Sequence, residues 1–108
     1  MTADVLVVPA DAAELIDYQN DSVVSRILLK KATGSVTLFA FAEDQGLSEH
    51  STPHDALVLI LDGRAEITVG GKQHLTKAGQ ALLLPADIPH ALHAPEPFKM
   101  LLIMIRSA

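Results

Sequence analysis

Imidazoles and carboxylates are the polar side chains available for chemistry in this chain of 108 residues, which has five histidines, 13 acidic residues and no cysteine. Without thiols there is no disulfide, no thiolate nucleophile and no cysteine-based zinc finger. An imidazole can ligate a metal, move a proton, or sit neutral and hydrogen-bonded in a core. His50, His54 and His90 fall where turns meet candidate strands. His50, Thr52, His54 and Ala56 share parity, so an extended chain points all four to one face. Pro53 between them marks a strand end. His90 follows Pro85-Ala86-Asp87-Ile88-Pro89, a rigid turn that fixes its direction, with Asp87 as an Asx-type cap. His93 lies three residues past His90 and takes the opposite face, and His74, among Lys72, Gln73 and Thr76, is expected in solvent. Glu49 and Asp55 flank the cluster with the wrong parity and are expected as solvated charges.

The elements that must position these residues are short and almost all β. Candidate strands are Asp4–Val8, Ser22–Lys30, Ser35–Ala42, Leu57–Leu61, Arg64–Val69, Lys72–Leu75, Ala81–Leu84, His90–His93 and Phe98–Arg106. Ala10–Ile16 has helix-forming composition, with Asp11 as a cap ahead of Glu14. Ala32-Thr33-Gly34-Ser35 and Gly70-Gly71 read as turns, and Asp62-Gly63 suits a type I′ hairpin between its flanking strands. In Arg64–Val69, Ala65, Ile67 and Val69 alternate with polar residues, the pattern of a half-buried strand. This spacing of strands predicts an all-β fold, a closed barrel or a sandwich.

Composition narrows the partners. The chain is one domain by size. With 8 basic against 13 acidic residues its net charge is −5, which argues against nucleic acid. Its longest apolar runs, Ala56–Leu61 and Met100–Ile105, have six residues each, too few to span a bilayer. Met1–Ala10 has no basic segment before its apolar stretch, so a cytoplasmic protein is expected. The segment Lys99–Arg106 is apolar on both faces. One face can fill a barrel, and the other needs cover from the short helix, a second sheet or a second subunit, so a homodimer is expected.

The two histidine-bearing stretches carry a family resemblance. The first runs from Gly46 through His50, Thr52 and Ala56 to Gly63, and the second from Gly79 through Pro85, Asp87 and His90 to Ala94. Together they resemble the two motifs of the cupins, small antiparallel jelly-roll barrels, with 15 residues between Gly63 and Gly79 as in small bacterial members. The resemblance covers Ser35 to Arg106 and implies a jelly-roll β-barrel over residues 22–108, preceded by residues 1–21 as an N-terminal strand and short helix. Departures from the pattern are specific: Thr52 stands for the second His of the first motif, Ala56 for its Glu, Asp87 for the Gly of the second and Ala94 for its Asn.

In complete cupins three histidines and a glutamate hold a divalent metal. Carried over residue by residue, His50 and His90 remain, and His54, on the same face if the strand persists, is the candidate third ligand. Three imidazoles with open water positions would suit Zn, Ni, Fe, Cu or Mn. Period-2 counting from His50 and His90 gives a pocket of Thr52, Ala56, Val58, Ile67 and Leu92, apolar with polar groups at one end. Which of the Phe39/Phe41 and Leu38/Ala40 pairs faces inward is open. The resemblance implies a metal-dependent enzyme on a small organic molecule, of oxygenase, isomerase or lyase type. The alternatives are a metal-free barrel that captures or senses a small ligand, and an accessory protein whose barrel is only a core.

Overall fold

The computed structural model describes residues 7–107. Among the described residues, nine strands form two facing antiparallel sheets: β1 (Val23–Lys31), β2 (Gly34–Phe41), β3 (Gly46–His50), β4 (Asp55–Asp62), β5 (Arg64–Val69), β6 (Lys72–Lys77), β7 (Ala81–Leu84), β8 (His90–His93) and β9 (Phe98–Ile105). One sheet has the order β1-β2-β9-β4-β7 and the other β3-β8-β5-β6. This is the expected all-β jelly roll. None of the described helices is long and apolar enough to cross a membrane.

Alternation sorts the strands into an inner and an outer face. Phe41, Val58, Ile60, Leu84, Phe98 and Met100 from the first sheet meet Ala65, Ile67, Leu92 and Ala94 from the second in one buried core. The Phe41 and Phe98 rings stack at 4.4 Å, and Phe39 tilts against Phe41 at 6.0 Å. Phe39 and Phe41 therefore face inward, and Leu38 and Ala40 face out. The outer pair is covered by Ile16, with Leu15 and Tyr18 beside it.

The candidate helix over Ala10–Ile16 is a single 3₁₀ turn, Ala12–Glu14, and Asp11 makes no side-chain cap bond. The segment is too short to propagate an α-helix, and burying Ile16 against the sheet decides its path instead. Residues 4–6 of the candidate first strand lie outside the described residues, and Val7 and Val8 are exposed and not in a strand.

Asp62-Gly63 is not a hairpin. The strands it joins belong to opposite sheets, so the dipeptide is the corner where the chain crosses between them. Gly63 has φ 72°, and a Cβ there would lie 2.1 Å from the Pro97 carbonyl oxygen. The true tight hairpins are β1-β2 and β5-β6, where Lys31 pairs with Gly34 and Val69 with Lys72.

Polar bonds fasten the N-terminal segment down. The Tyr18 hydroxyl donates to Asp62 Oδ2 at 2.5 Å, Lys99 Nζ donates to the Ala13 carbonyl and lies 4.8 Å from the Tyr18 ring centre, and Arg26 donates to the Leu15 carbonyl at 2.7 Å. Burial, then the bond and negative charge of Asp62, push the Tyr18 hydroxyl well above its ordinary pKa. Folding therefore favours the protonated phenol. Its contribution is complete below the unfolded value of about 10 and is lost as pH rises through and above it. Urea melts at pH 8 and pH 11 should show a larger loss of stability for the wild type than for Tyr18→Phe.

Candidate functional site at the barrel mouth

The inner wall is dry at one end and open at the other. Along β9, Phe98 and Met100 are fully buried, whereas Leu102 and Met104 keep partial exposure. Ala56, Val69, Leu82, Phe39 and Leu47 are likewise only partly buried. Ala56, Val69 and Leu82 lie at the same end as Leu102, since Ala56 pairs with Met104, Val69 with His90, and Leu82 and Leu102 both with Val58, whereas Phe39 and Leu47 sit deeper, paired with Met100 and Leu92. The result is an apolar mouth with histidines on its rim.

His50 ends β3 and His90 begins β8, and the register places them opposite each other. Their rings meet edge to face with centres 4.5 Å apart. His50 Nδ1 lies 2.8 Å from the Ser48 carbonyl oxygen and His90 Nδ1 lies 3.3 Å from that of Ile88. A carbonyl oxygen only accepts, so each Nδ1 carries a proton and each Nε2 is left as an acceptor. His90 is 7% exposed. Burial pulls its pKa below the usual imidazole value and the neighbouring His50 acts the same way, against the opposing effect of the Ile88 carbonyl.

Two loops hold this pair. The Asp87 N–H donates to the Thr52 carbonyl at 2.7 Å, the Ala86 N–H to Asp55 Oδ1 at 2.8 Å, and the Gly70 N–H to the Pro89 carbonyl at 2.8 Å. Asp55, expected as a solvated charge, is thus a positioning residue for the loop before His90. Its parity was read correctly, but a long-range bond to a backbone N–H leaves no trace in spacing. Asp87 sits at φ 66°, which explains why a glycine occupies this place in the resembling motif. Asp is among the few other residues that tolerate it.

His54 does not join the pair. Ser51-Thr52-Pro53-His54 is irregular and β4 starts only at Asp55, so the strand parity that would aim His54 inward does not persist. Thr52 Oγ1 bonds locally to the His54 backbone, donating to its carbonyl and accepting from its N–H. The His54 ring faces the C-terminal tail. Its Nδ1 accepts the Ser107 N–H at 3.1 Å, its Nε2 lies 3.5 Å from the Arg106 guanidinium, and the Ser107 hydroxyl donates to the Pro53 carbonyl.

Among the described residues no three His, Cys, Asp or Glu side chains are grouped so as to hold a metal ion. Sites that do metal chemistry keep about three protein ligands. The mouth supplies two imidazoles, with Thr52 and Ala56 in the other motif positions, so the residues present do not fit a resident transition metal.

Of the expected pocket residues, Ala56 lies at the mouth and Thr52 beside it. Val58 and Ile67 are fully buried and Leu92 nearly so, making them the floor below the mouth rather than its wall. The stacked phenylalanines fill the volume that alternation alone left open. His93 is exposed on the outer face, with Nδ1 2.8 Å from Glu66 and Nε2 3.6 Å from Asp44. His74 is half-buried on β6.

Replacing Asp87 by Gly should keep stability within about 1 kcal/mol, because glycine accepts the positive φ. Asp87→Val should cost about 1–3 kcal/mol, because a β-branched residue there is strained. Chemical denaturation of both variants measures this.

Comparison with known proteins places this geometry. The family model described as "Cupin domain" matches residues 37–105. A conserved protein of unknown function from Streptococcus pyogenes is 36% identical, with 94% of this chain and 89% of that one covered and a TM-score of 0.89. A cupin superfamily protein from Desulfitobacterium hafniense is 32% identical, with coverage of 93% and 92% and a TM-score of 0.89. A cupin 2 conserved barrel domain protein from Leptotrichia buccalis is 41% identical over 87% of this chain but only 46% of its own, with a TM-score of 0.84. No curated protein matches the chain.

Proposed function

The chain belongs to the cupin family, and from that footing we propose that its barrel mouth captures a small organic molecule without a resident metal. The observation that carries this reading is the His50–His90 pair. Two imidazoles, each with its Nδ1 proton directed to a backbone carbonyl, offer Nε2 acceptors beside an apolar wall of Val69, Leu82 and Leu102. Such a site selects a molecule with an apolar body and a hydrogen-bond donor, such as a hydroxyl or an amine. It disfavours a carboxylate, which brings only acceptors and would have to shed its hydration against apolar walls.

The wall supplies burial, and the two imidazoles set orientation. Fixing both rings through Ser48 and Ile88, and strapping the loops through Asp87 and Asp55, keeps the acceptors in place before any ligand arrives. The reading is a binding or sensing module, and the metal-dependent enzyme is its rival.

Two measurements separate them. Protein purified without a histidine tag and then incubated with Zn, Ni or Fe should hold less than about a tenth of an equivalent of metal, since two imidazoles fall short of a full ligand set. Stoichiometric metal lost in His50→Ala and His90→Ala would replace this reading by the enzymatic one. In NMR titrations, cyclohexanol and cyclohexylamine should shift the His50 and His90 ring signals and the Leu82 and Leu102 methyls, ahead of cyclohexanecarboxylate. Removing either imidazole should weaken the alcohol about tenfold, as expected for one lost hydrogen bond. A preference for the carboxylate would overturn the assignment.

A further inference from the structure

The β4–β9 ladder stops at a proline. Asp55 pairs with Ile105, so the next positions on the two chains are His54 with Arg106 and Pro53 with Ser107. Pro53 has no N–H to offer, and the backbone ladder cannot pass it. Side chains carry the pairing one step further. The Ser107 N–H donates to His54 Nδ1 at 3.1 Å, and the Ser107 hydroxyl donates to the Pro53 carbonyl. On the other side of β9, the Arg106 N–H donates to the Thr33 carbonyl at 2.9 Å. Because His54 Nδ1 accepts a backbone N–H, the neutral ring carries its proton on Nε2, the reverse of His50 and His90. Nε2 is then a donor, and so is the Arg106 guanidinium 3.5 Å away, so no hydrogen bond joins the two. The tail holds His54 through Ser107.

From His54 the contacts run on to the mouth. Thr52 Oγ1 takes both polar groups of the His54 backbone, accepting from its N–H at 3.3 Å and donating to its carbonyl at 3.1 Å. Residues 52–54 are thereby a closed unit. The Thr52 carbonyl accepts the Asp87 N–H at 2.7 Å. Asp87 has the positive φ that turns the chain toward Pro89 and His90, and His90 is the buried member of the imidazole pair. His50, at the end of β3, leads into the same unit through Ser51 alone.

We propose that His54 and Thr52 are positioning residues for the imidazole pair: Ser107 seats His54, Thr52 carries that seating to Asp87, and Asp87 sets where the His90 Nε2 points. Thr52 occupies a histidine position of the cupin motif, and its hydroxyl is used here on the backbone of His54. The contact needs one atom that both donates and accepts, and no single imidazole nitrogen does both. The relay matters to ligand capture only if the mouth is used as proposed above, so the deciding readouts are taken without ligand.

A series of contacts becomes a coupling when a change at one end is felt at the other. Amide exchange and long-range ¹⁵N NMR spectra of the histidine rings measure that on the full chain. In His54→Ala, exchange of the Asp87 N–H should quicken about five- to tenfold, as for one lost hydrogen bond, and the His90 Nε2 signal should shift. Thr52→Val should do the same, and the double variant should do no more than either alone, because both residues lie in one series. His54→Asn, whose Oδ1 can accept the Ser107 N–H in place of Nδ1, should restore both readouts. Arg106→Ala keeps the main chain and should leave them unchanged. Neither His54 nor Thr52 belongs to the packed core, so the far-UV spectrum and exchange in the β1–β2 hairpin should stay as in the wild type. Cyclohexanol should bind His54→Ala about threefold or more weakly, the scale of coupling along such networks, and His54→Asn as it binds the wild type. An Asp87 amide and His90 ring indifferent to His54→Ala, additive effects of the two substitutions, failure of His54→Asn to restore them, quickened exchange spread evenly over the chain, or unchanged cyclohexanol affinity in His54→Ala would each overturn the inference. A wild type that binds no cyclohexanol would overturn the functional proposal instead, and the amide and ring signals would still decide this one.

Discussion

One constraint organises the molecule: the five-stranded sheet is apolar on both faces and must be covered twice. Its inner face is satisfied by closing on the second sheet, where Phe41, Phe98, Met100, Val58 and Ile60 meet Ala65, Ile67 and Leu92. Its outer face is satisfied at one end by a segment too short to be a stable helix, held by Ile16 and by the bonds around Tyr18 and Lys99. A typical two-sheet antiparallel protein buries one face of each sheet and wets the other. This chain departs from that pattern on one sheet only, and the second sheet, with Glu66, Thr68 and His93 on its outer side, keeps to it.

The mouth depends on the same arrangement. The core is packed where the stacked phenylalanines fill it, and burial falls off where β9 runs past them to Leu102 and Met104. The two histidines reach the rim from adjacent strands of the smaller sheet, and their orientation comes from main-chain carbonyls two residues earlier in each case. That device needs no acidic partner. It sets the tautomer and direction of each neutral ring, and burial of His90 favours that ring's neutral form.

Much of this was legible in the residues. Alternation in Arg64–Val69, the doubly apolar Lys99–Arg106, the Gly70-Gly71 turn and the paired motifs around His50 and His90 led to the fold and to the two residues that meet. What was not legible was long-range or depended on a strand continuing. Period-2 counting brought His54 inward, but β3 ends at His50 and, past a proline and a local Thr52 bond, β4 begins only one residue after His54. Asp62-Gly63 has the composition of a hairpin, and composition does not record which sheet the next strand joins. Counting along one strand also cannot show volume, so Val58, Ile67 and Leu92 were placed on a wall when two aromatic rings make them a floor. Asp55 accepts from a backbone N–H 31 residues away, and the Ser107 N–H donates to the His54 ring 53 residues away.

The order of the larger sheet has a consequence for synthesis. Its central strand, β9, follows every other strand in the chain, and β2 and β4 bond to it from either side. Until β9 leaves the ribosome, the β1-β2 hairpin and the β4-β7 pair exist with their inner edges unpaired and both faces apolar. Such edges are templates for wrong strand addition. The nascent chain is therefore most exposed to aggregation just before β9 emerges, and closure of the sheet waits on contacts distant in sequence, which fold slowly. A chain shortened before Phe98 would lose the seam between two half-sheets rather than one strand from an edge.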